Sequence, residues 1–176
     1  MKQIGELRCD DLVLKDFSED NLSEEYVSWL NDPEVVRFSR QRFDKHTADS
    51  CNLFFREMQS REEYFVAVFV EKDGLQHIGN ITTATDEHNG VVDLAILIGN
   101  RDYWGMGYGR KAWKLLINKL LESSDVRMVT AGCMSENKAM VRIMMASGME
   151  EYYTRKNYFV FNGKYCDSVH FILKKK

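Results

Sequence analysis

The chain has 176 residues, 44% hydrophobic and 29% charged, which excludes a disordered protein and, at roughly 150 residues per domain, predicts one domain over 1–176 with a self-sufficient core. Its net charge of −3 removes the bulk attraction on which most nucleic-acid binders rely. No apolar run approaches the ~20 residues of a membrane span, and Met1–Leu12 carries Glu6, Asp10 and Asp11 where an export signal would be apolar, so a cytoplasmic protein without membrane or nucleic-acid partners is expected.

Leu12–Asp16 reads as a first strand. Leu22, Tyr26, Trp29 and Leu30 recur at helical spacing, and Asn31-Asp32-Pro33 stops that helix. Thr47 is placed to cap a second helix with Cys51, Phe54, Phe55 and Met58 on one stripe. Three strands follow, Tyr64–Glu71, His77–Asp86 and Val91–Ile98, joined by turns at Lys72-Asp73-Gly74 and Glu87-His88-Asn89-Gly90. After a glycine loop come an amphipathic helix (Ala112, Trp113, Leu116, Ile117, Leu120), a strand at Arg127–Cys133 and a helix over about Asn137–Ser147. Tyr158–Phe161 and Tyr165–Leu173, joined by Asn162-Gly163, form a terminal hairpin, and Lys174–Lys176 reads as a solvated tail. This order predicts an α+β (α/β mixed) fold, a mixed sheet with helices on its faces. The four cysteines (Cys9, Cys51, Cys133, Cys166) are scattered without metal-ligand spacing, so reduced thiols and no metal are expected.

The loop Tyr103-Trp104-Gly105-Met106-Gly107-Tyr108-Gly109-Arg110-Lys111 lies between an apolar strand and a helix. Glycines at alternate positions let backbone N–H groups turn inward, and the helix dipole adds positive potential, which suits a phosphate or pyrophosphate. A tight strand-to-helix turn explains the same glycines. A P-loop needs GxxxxGK[S/T] and a dinucleotide fold needs GxGxxG, and the sequence has neither here.

At this loop the chain resembles the GNAT superfamily of acyl-CoA-dependent N-acetyltransferases, whose pyrophosphate loop [Q/R]-x-x-G-x-[G/A] aligns with Trp104-Gly105-Met106-Gly107-Tyr108-Gly109, Trp104 departing from Gln or Arg. The Tyr-Trp-Gly-x-Gly-Tyr form is similar to the subgroup of ribosomal-protein alanine and serine N-acetyltransferases, spermidine acetyltransferases and amino-sugar acetyltransferases. Further landmarks are Ser28-Trp29-Leu30-Asn31-Asp32-Pro33-Glu34-Val35, His77-Ile78-Gly79-Asn80-Ile81 and Asn162-Gly163-Lys164-Tyr165-Cys166-Asp167. The resemblance implies a mostly antiparallel sheet of about seven strands with about four helices, splayed between its fourth strand, here Val91–Ile98, and its fifth. It implies acetyl-CoA as co-substrate, its pantetheine pairing with backbone groups of Ile96, Leu97 and Ile98, its pyrophosphate on residues 104–109, and Arg110 and Asn137 in contact with it. An asparagine N-cap explains Asn137 equally well.

Attack on a thioester requires a neutral amine, and an alkyl ammonium with pKa near ~10.4 must first lose a proton. Asp93, the lone acid in an apolar strand, is the candidate base, where the resemblance usually finds Glu; a solvent-facing strand end is its other reading. The superfamily's tyrosine acid falls on Met144, which cannot donate a proton, and Met140, Ile143 and Met144 read as core. Acceptor recognition falls to the early helices and final hairpin, with Trp29, Arg37, Arg42, His46 and Tyr165 as candidates beside surface or core packing. Asp167 reads as structural. The acceptor expected is a primary amine of a small molecule such as a nucleotide-linked amino sugar, with a protein N-terminus, a polyamine, or acyl-CoA binding without turnover as the alternatives; a homodimer is compatible with the sequence.

Overall fold

The computed structural model describes residues 1–61 and 63–175, so the last residue of the expected lysine tail, Lys176, lies outside it. Eight strands form one sheet in the order β1-β2-β3-β4-β5-β6-β8-β7. They are β1 Leu7–Cys9, β2 Leu12–Asp16, β3 Phe65–Glu71, β4 Leu75–Asp86, β5 Val91–Ile98, β6 Met128–Met134, β7 Glu150–Phe161 and β8 Lys164–Lys174. Neighbours are antiparallel throughout except β5 and β6, which run parallel. Four helices, α1 Glu24–Asn31, α2 Ala48–Gln59, α3 Tyr108–Glu122 and α4 Lys138–Ala146, pack on the two faces. The mostly antiparallel mixed architecture is the one expected.

Two elements extend beyond the sequence reading. β1 is too short to show an alternation, and it folds back on β2 through Asp10, which takes the left-handed conformation at φ 54°. β7 begins at Glu150 rather than Tyr158. It is an edge strand with mostly exposed side chains, and register shifts between Glu151 and Tyr153 and between Arg155 and Phe159 break what period remains.

β3 reads as an unbroken apolar run because Phe65–Val70 is buried on both faces. Val66, Val68 and Val70 join Leu12, Leu14, the predicted stripe of α3 (Trp113, Leu116) and Met144 of α4. Phe65, Ala67 and Phe69 join Val13, Phe17 and the inner faces of α1 and α2 on the other side. Thr47 caps α2 as predicted, accepting from the Ser50 N–H at 3.2 Å. Burial of each such large side chain contributes ~1.5–3 kcal/mol, so both layers are held by the same term. The α1–α2 layer reaches only the β2–β4 half of its face. Beyond it, over β5, β6, β8 and β7, that face is open around Asp93, Ala95, Gly132 and Tyr153, which are exposed, and covered again at Met134 and Ser168.

His77 of β4 is enclosed by aromatic rings, its centroid 5.0 Å from Trp29 and 5.1 Å from Phe69. Its Nε2 lies 2.9 Å from the Gly79 carbonyl oxygen, which fixes Nε2–H as the donor of a neutral imidazole. Burial pushes its pKa down to about 4. The unfolded chain therefore binds a proton that the folded chain refuses. Stability from this group is complete above pH ~6.5 and is lost as the pH falls toward 4. The thermal midpoint of the wild type is expected to drop on the order of 5 °C more than that of His77→Gln between pH 7 and 4.5, read by differential scanning calorimetry.

Candidate active site

β5 pairs with β4 along its whole length, from Val91↔Asp86 to Ile98↔Gly79, and β6 pairs with β8 from Met128↔Lys174 to Met134↔Ser168. Between themselves β5 and β6 pair at three positions only, ending at Asp93↔Thr130. Beyond that point Leu94–Ile98 and Ala131–Met134 separate, which is the expected splay. The strands are parallel, so both opened arms end on the same edge and lead directly into the N-termini of α3 and α4. That is where a parallel pair presents a ligand site.

The main-chain direction of the β5 arm follows from two anchors. The Gly90 carbonyl accepts from Arg127 and Met128 N–H on the β6 side, and Gly99 N–H donates to Ile78 on the β4 side. Alternation between them turns the N–H and C=O of Leu94, Ile96 and Ile98 into the gap and those of Leu97 toward Asn80. Of the three residues expected to meet a pantetheine, Ile96 and Ile98 face the gap and Leu97 does not. The Ile98 carbonyl has a partner already, the Trp104 indole N–H at 2.8 Å. The tryptophan at the departing first position of the loop motif thus closes off the far end of the strand.

α1, α2 and α4 are capped by side chains, from Ser23, Thr47 and Asn137 respectively. α3 is not: its N-cap is Gly107 in the left-handed conformation at φ 86°, and its first helical hydrogen bond runs from Lys111 N–H to the Gly107 carbonyl. The N–H groups of Gly107, Tyr108, Gly109 and Arg110 are left for another partner, at the positive end of the dipole. Gly109 lies against Ile98 and Ile143, so this end stands at the mouth of the gap. Arg110 is exposed and has no ion-pair partner among the described residues. Lys111 is held by Asp10 at 2.9 Å, and the Tyr108 hydroxyl is bound to Asp11, so these two side chains brace the loop from behind. Across the gap Asn137 caps α4 through Oδ1, 3.1 Å from Met140 N–H, with Nδ2 unpartnered among the described residues. Capping therefore leaves the amide nitrogen of the same side chain available.

Asp93 sits at the vertex of the fork. Its Oδ1 accepts the Thr130 hydroxyl at 2.5 Å. The carboxyl is open to solvent from above yet walled by protein on its other sides, and that desolvation raises its pKa, with Thr130 and then His170 pulling it back. Met144, at the place of the superfamily's tyrosine, is fully buried beneath the sheet and takes no part.

A family model for the GNAT acetyltransferase domain matches residues 11–150. The chain belongs to the GNAT acetyltransferase family. Solved structures share the fold. Spermidine N-acetyltransferase from Vibrio cholerae, in complex with CoA and spermine, aligns at TM-score 0.82 and 15% identity over 95% of this chain and 97% of that one. A GNAT-family acetyltransferase from Bacillus anthracis aligns at 0.81 and 14% over 97% and 98%. Ribosomal-protein-S5-alanine acetyltransferase from Vibrio fischeri aligns at 0.79 and 13% over 97% of both chains. No curated protein sequence matches the chain. The co-substrate of this family, acetyl-CoA, suits what the site offers: free N–H groups for phosphates, Arg110 for their charge and a strand-width gap for the amides of pantetheine.

On the acceptor side the GNAT enzyme places the expected residues unevenly. Trp29 is 5% exposed and packs its ring on Gly99, so it supports the end of β5 rather than presenting a stacking surface. His46 binds the Gln41 carbonyl at 3.1 Å and shapes the α1–α2 connection. Arg42 lies over the Phe43 ring at 4.3 Å and donates to the Ser39 carbonyl. Tyr165 is 75% exposed at the hairpin. Asp167 binds Lys156 and Asn157 N–H, both at 2.9 Å, and braces the β7 irregularity, as its structural reading expects. A cleft of about 630 Å³ opens away from the fork, between the α1–α2 connection and the β7–β8 tip, lined by Leu30, Arg37, Arg42, Lys45, Phe161 and Asn162 among others.

Sequence reasoning missed two residues. Asn80 of β4 is 8% exposed, with Oδ1 unpartnered among the described residues, and pairs in register with Leu97. His170 of β8 lies across from Gly132 on the open face. A lone Asn or His in a strand carries no signal without its neighbours. Gly107→Val is expected to weaken acetyl-CoA binding roughly ten-fold, since a β-branched residue at this φ costs about 1–2 kcal/mol or reorients the N–H groups. Isothermal titration calorimetry checks it.

Proposed function

We propose that this enzyme transfers the acetyl group of acetyl-CoA to a primary amine of a small, anionic molecule, of which a nucleotide-linked amino sugar is the leading example, by direct attack in a ternary complex. Bound acetyl-CoA supplies a thioester carbonyl, an electrophile. The observation that carries the reading is the position of Asp93: a desolvated carboxylate at the vertex where the paired strands part, on the face the helices leave bare. A carboxylate there holds the acceptor's ammonium and takes its proton, and its raised pKa improves it as a base. Ile96, turned into the gap, offers an N–H for the carbonyl oxygen as negative charge develops on it.

The charge of the cleft supports an anionic acceptor. Its lining holds three cations, Arg37, Arg42 and Lys45, against two acids, Glu34 and Asp44; Arg37 is paired with Glu34 at 3.4 Å, and Arg42 and Lys45 form no ion pair among the described residues. The small cationic excess favours phosphate over a polyamine.

Thermal-shift titration with acetyl-CoA is expected to raise the melting temperature. Thiol release across nucleotide amino sugars, spermidine and N-terminal peptides is expected to be fastest with the nucleotide sugars; turnover of spermidine or peptides alone refutes the acceptor assignment. Asp93→Asn is expected to lose about 100-fold or more in kcat while the acetyl-CoA shift persists.

A further inference from the structure

The open half of the sheet carries one arrangement that the reaction described above leaves unused. Ser168 and His170 stand two residues apart on β8, on the same face as Thr130 and Gly132 of β6. His170 Nε2 lies 2.8 Å from Ser168 Oγ, and Ser168 is 2% exposed. The imidazole stacks on Tyr153 of β7, with centroids 4.2 Å apart and planes at 7°. Its Nδ1 leans over Gly132 so closely that a Cβ added there would stand 2.7 Å from it. Glycine is required at 132 because the ring occupies the space of its side chain. The ring is thus held by a buried hydroxyl, an aromatic plane and a gap in the neighbouring strand. Its free nitrogen leans toward the strand that carries Thr130 and, beyond it, Asp93.

We propose that His170 is the relay that takes the acceptor's proton onward from Asp93, so that the working base of this enzyme is a two-membered unit. The proposal rests on the role assigned to Asp93. The acceptor ammonium gives one proton to the Asp93 carboxylate, and the carboxylic acid passes it through solvent on the open face to His170 Nδ1, restoring the carboxylate. The freed amine forms the C–N bond to the acetyl carbon as the C–S bond breaks with its electron pair on sulfur. The nitrogen's second proton goes to that thiolate, leaving amide and thiol, and the imidazolium then releases its proton to bulk water. Ser168 acts by accepting from Nε2–H, which leaves the Nδ1 lone pair bare.

The charged and titratable groups that bear on the imidazole among the described residues are Arg155 and Tyr153 on β7 and Asp93 on β5; β6 opposes it with glycine and its own strand with serine. Burial first, then Arg155, lowers the His170 pKa, while Asp93 raises it. The imidazole is thereby neutral and able to accept at pH 7.

Two measurements test this. Long-range 1H–15N spectra of the wild type are expected to show His170 in the Nε2–H tautomer, and Asp93→Asn to lower its titration midpoint by roughly half a unit or more. An Nδ1–H tautomer, or a midpoint indifferent to Asp93→Asn, overturns the proposal. Neither reading depends on any acceptor being turned over, so a failed acceptor assignment is recognised separately by the substrate panel. With an amine that the wild type acetylates, His170→Gln is expected to reduce kcat about ten-fold, with an unchanged acetyl-CoA thermal shift, and to move the acid limb of the kcat/KM profile to lower pH. His170→Ala is expected to regain part of its rate in added imidazole. A wild-type kcat and pH profile in His170→Gln overturns the relay, as a purely structural role predicts.

Discussion

The site depends on a mismatch in backbone pairing. β5 is committed to β4 over eight residues and β6 to β8 over seven, yet the two meet each other at only three. Each arm is already held on its outer edge by a full ladder, so neither can swing across to close the gap. The helices beneath, with Trp113 and Met144 fully buried among the strands, oppose rearrangement of the sheet as a whole. What remains is a row of backbone donors and acceptors facing inward with no strand to satisfy them. Unpaired groups of this kind are costly unless water or a ligand meets them, and an extended chain bearing amides meets them best.

The same parallel pair fixes where two helices begin. Because both arms point the same way, the chain must turn from each into a helix at one edge of the sheet, and two helix N-termini converge there. The two are treated differently. α4 is capped by its own Asn137, which spends Oδ1 on the helix and keeps Nδ2 free. α3 opens on a left-handed glycine, and Tyr108 and Lys111 turn away to Asp11 and Asp10, so its N–H groups face outward unopposed. The acids at 10 and 11 lie in the turn from β1 to β2. A segment remote in sequence thus steadies the loop.

Much of this was legible in the sequence. Apolar period placed every helix, the turns at Asn89-Gly90 and Asn162-Gly163 marked two hairpins, and Asp93 stood out because a carboxylate breaks a run of Val, Leu and Ile. Resemblance located the fork and the loop. Leu97 shows where such reading ends: side-chain identity says nothing of which neighbour a residue's own N–H and C=O reach, and that is decided by alternation from Gly90 and Gly99. Trp29 shows the opposite failing. An indole has hydrogen-bonding and stacking capacity, which makes it a candidate for the acceptor, but its ring is buried against Gly99. The first part of β7, residues 150–157, escaped because an edge strand with exposed tyrosines and charged side chains has no buried face to impose a period.

The incomplete helical cover ties these features together. α1 and α2 bury Phe65, Phe69 and Val13 and reach as far as Leu97, beyond which Asp93, Ala95, Thr130 and Gly132 present small or polar side chains on that face, with Met134 the large apolar exception. A third helix laid over them would gain little apolar burial and would have to desolvate a carboxylate, an imidazole and Arg155 together. Around Asp93, Ala95 and Gly132 the sequence therefore disfavours closure by the same rule that builds the core under the other half.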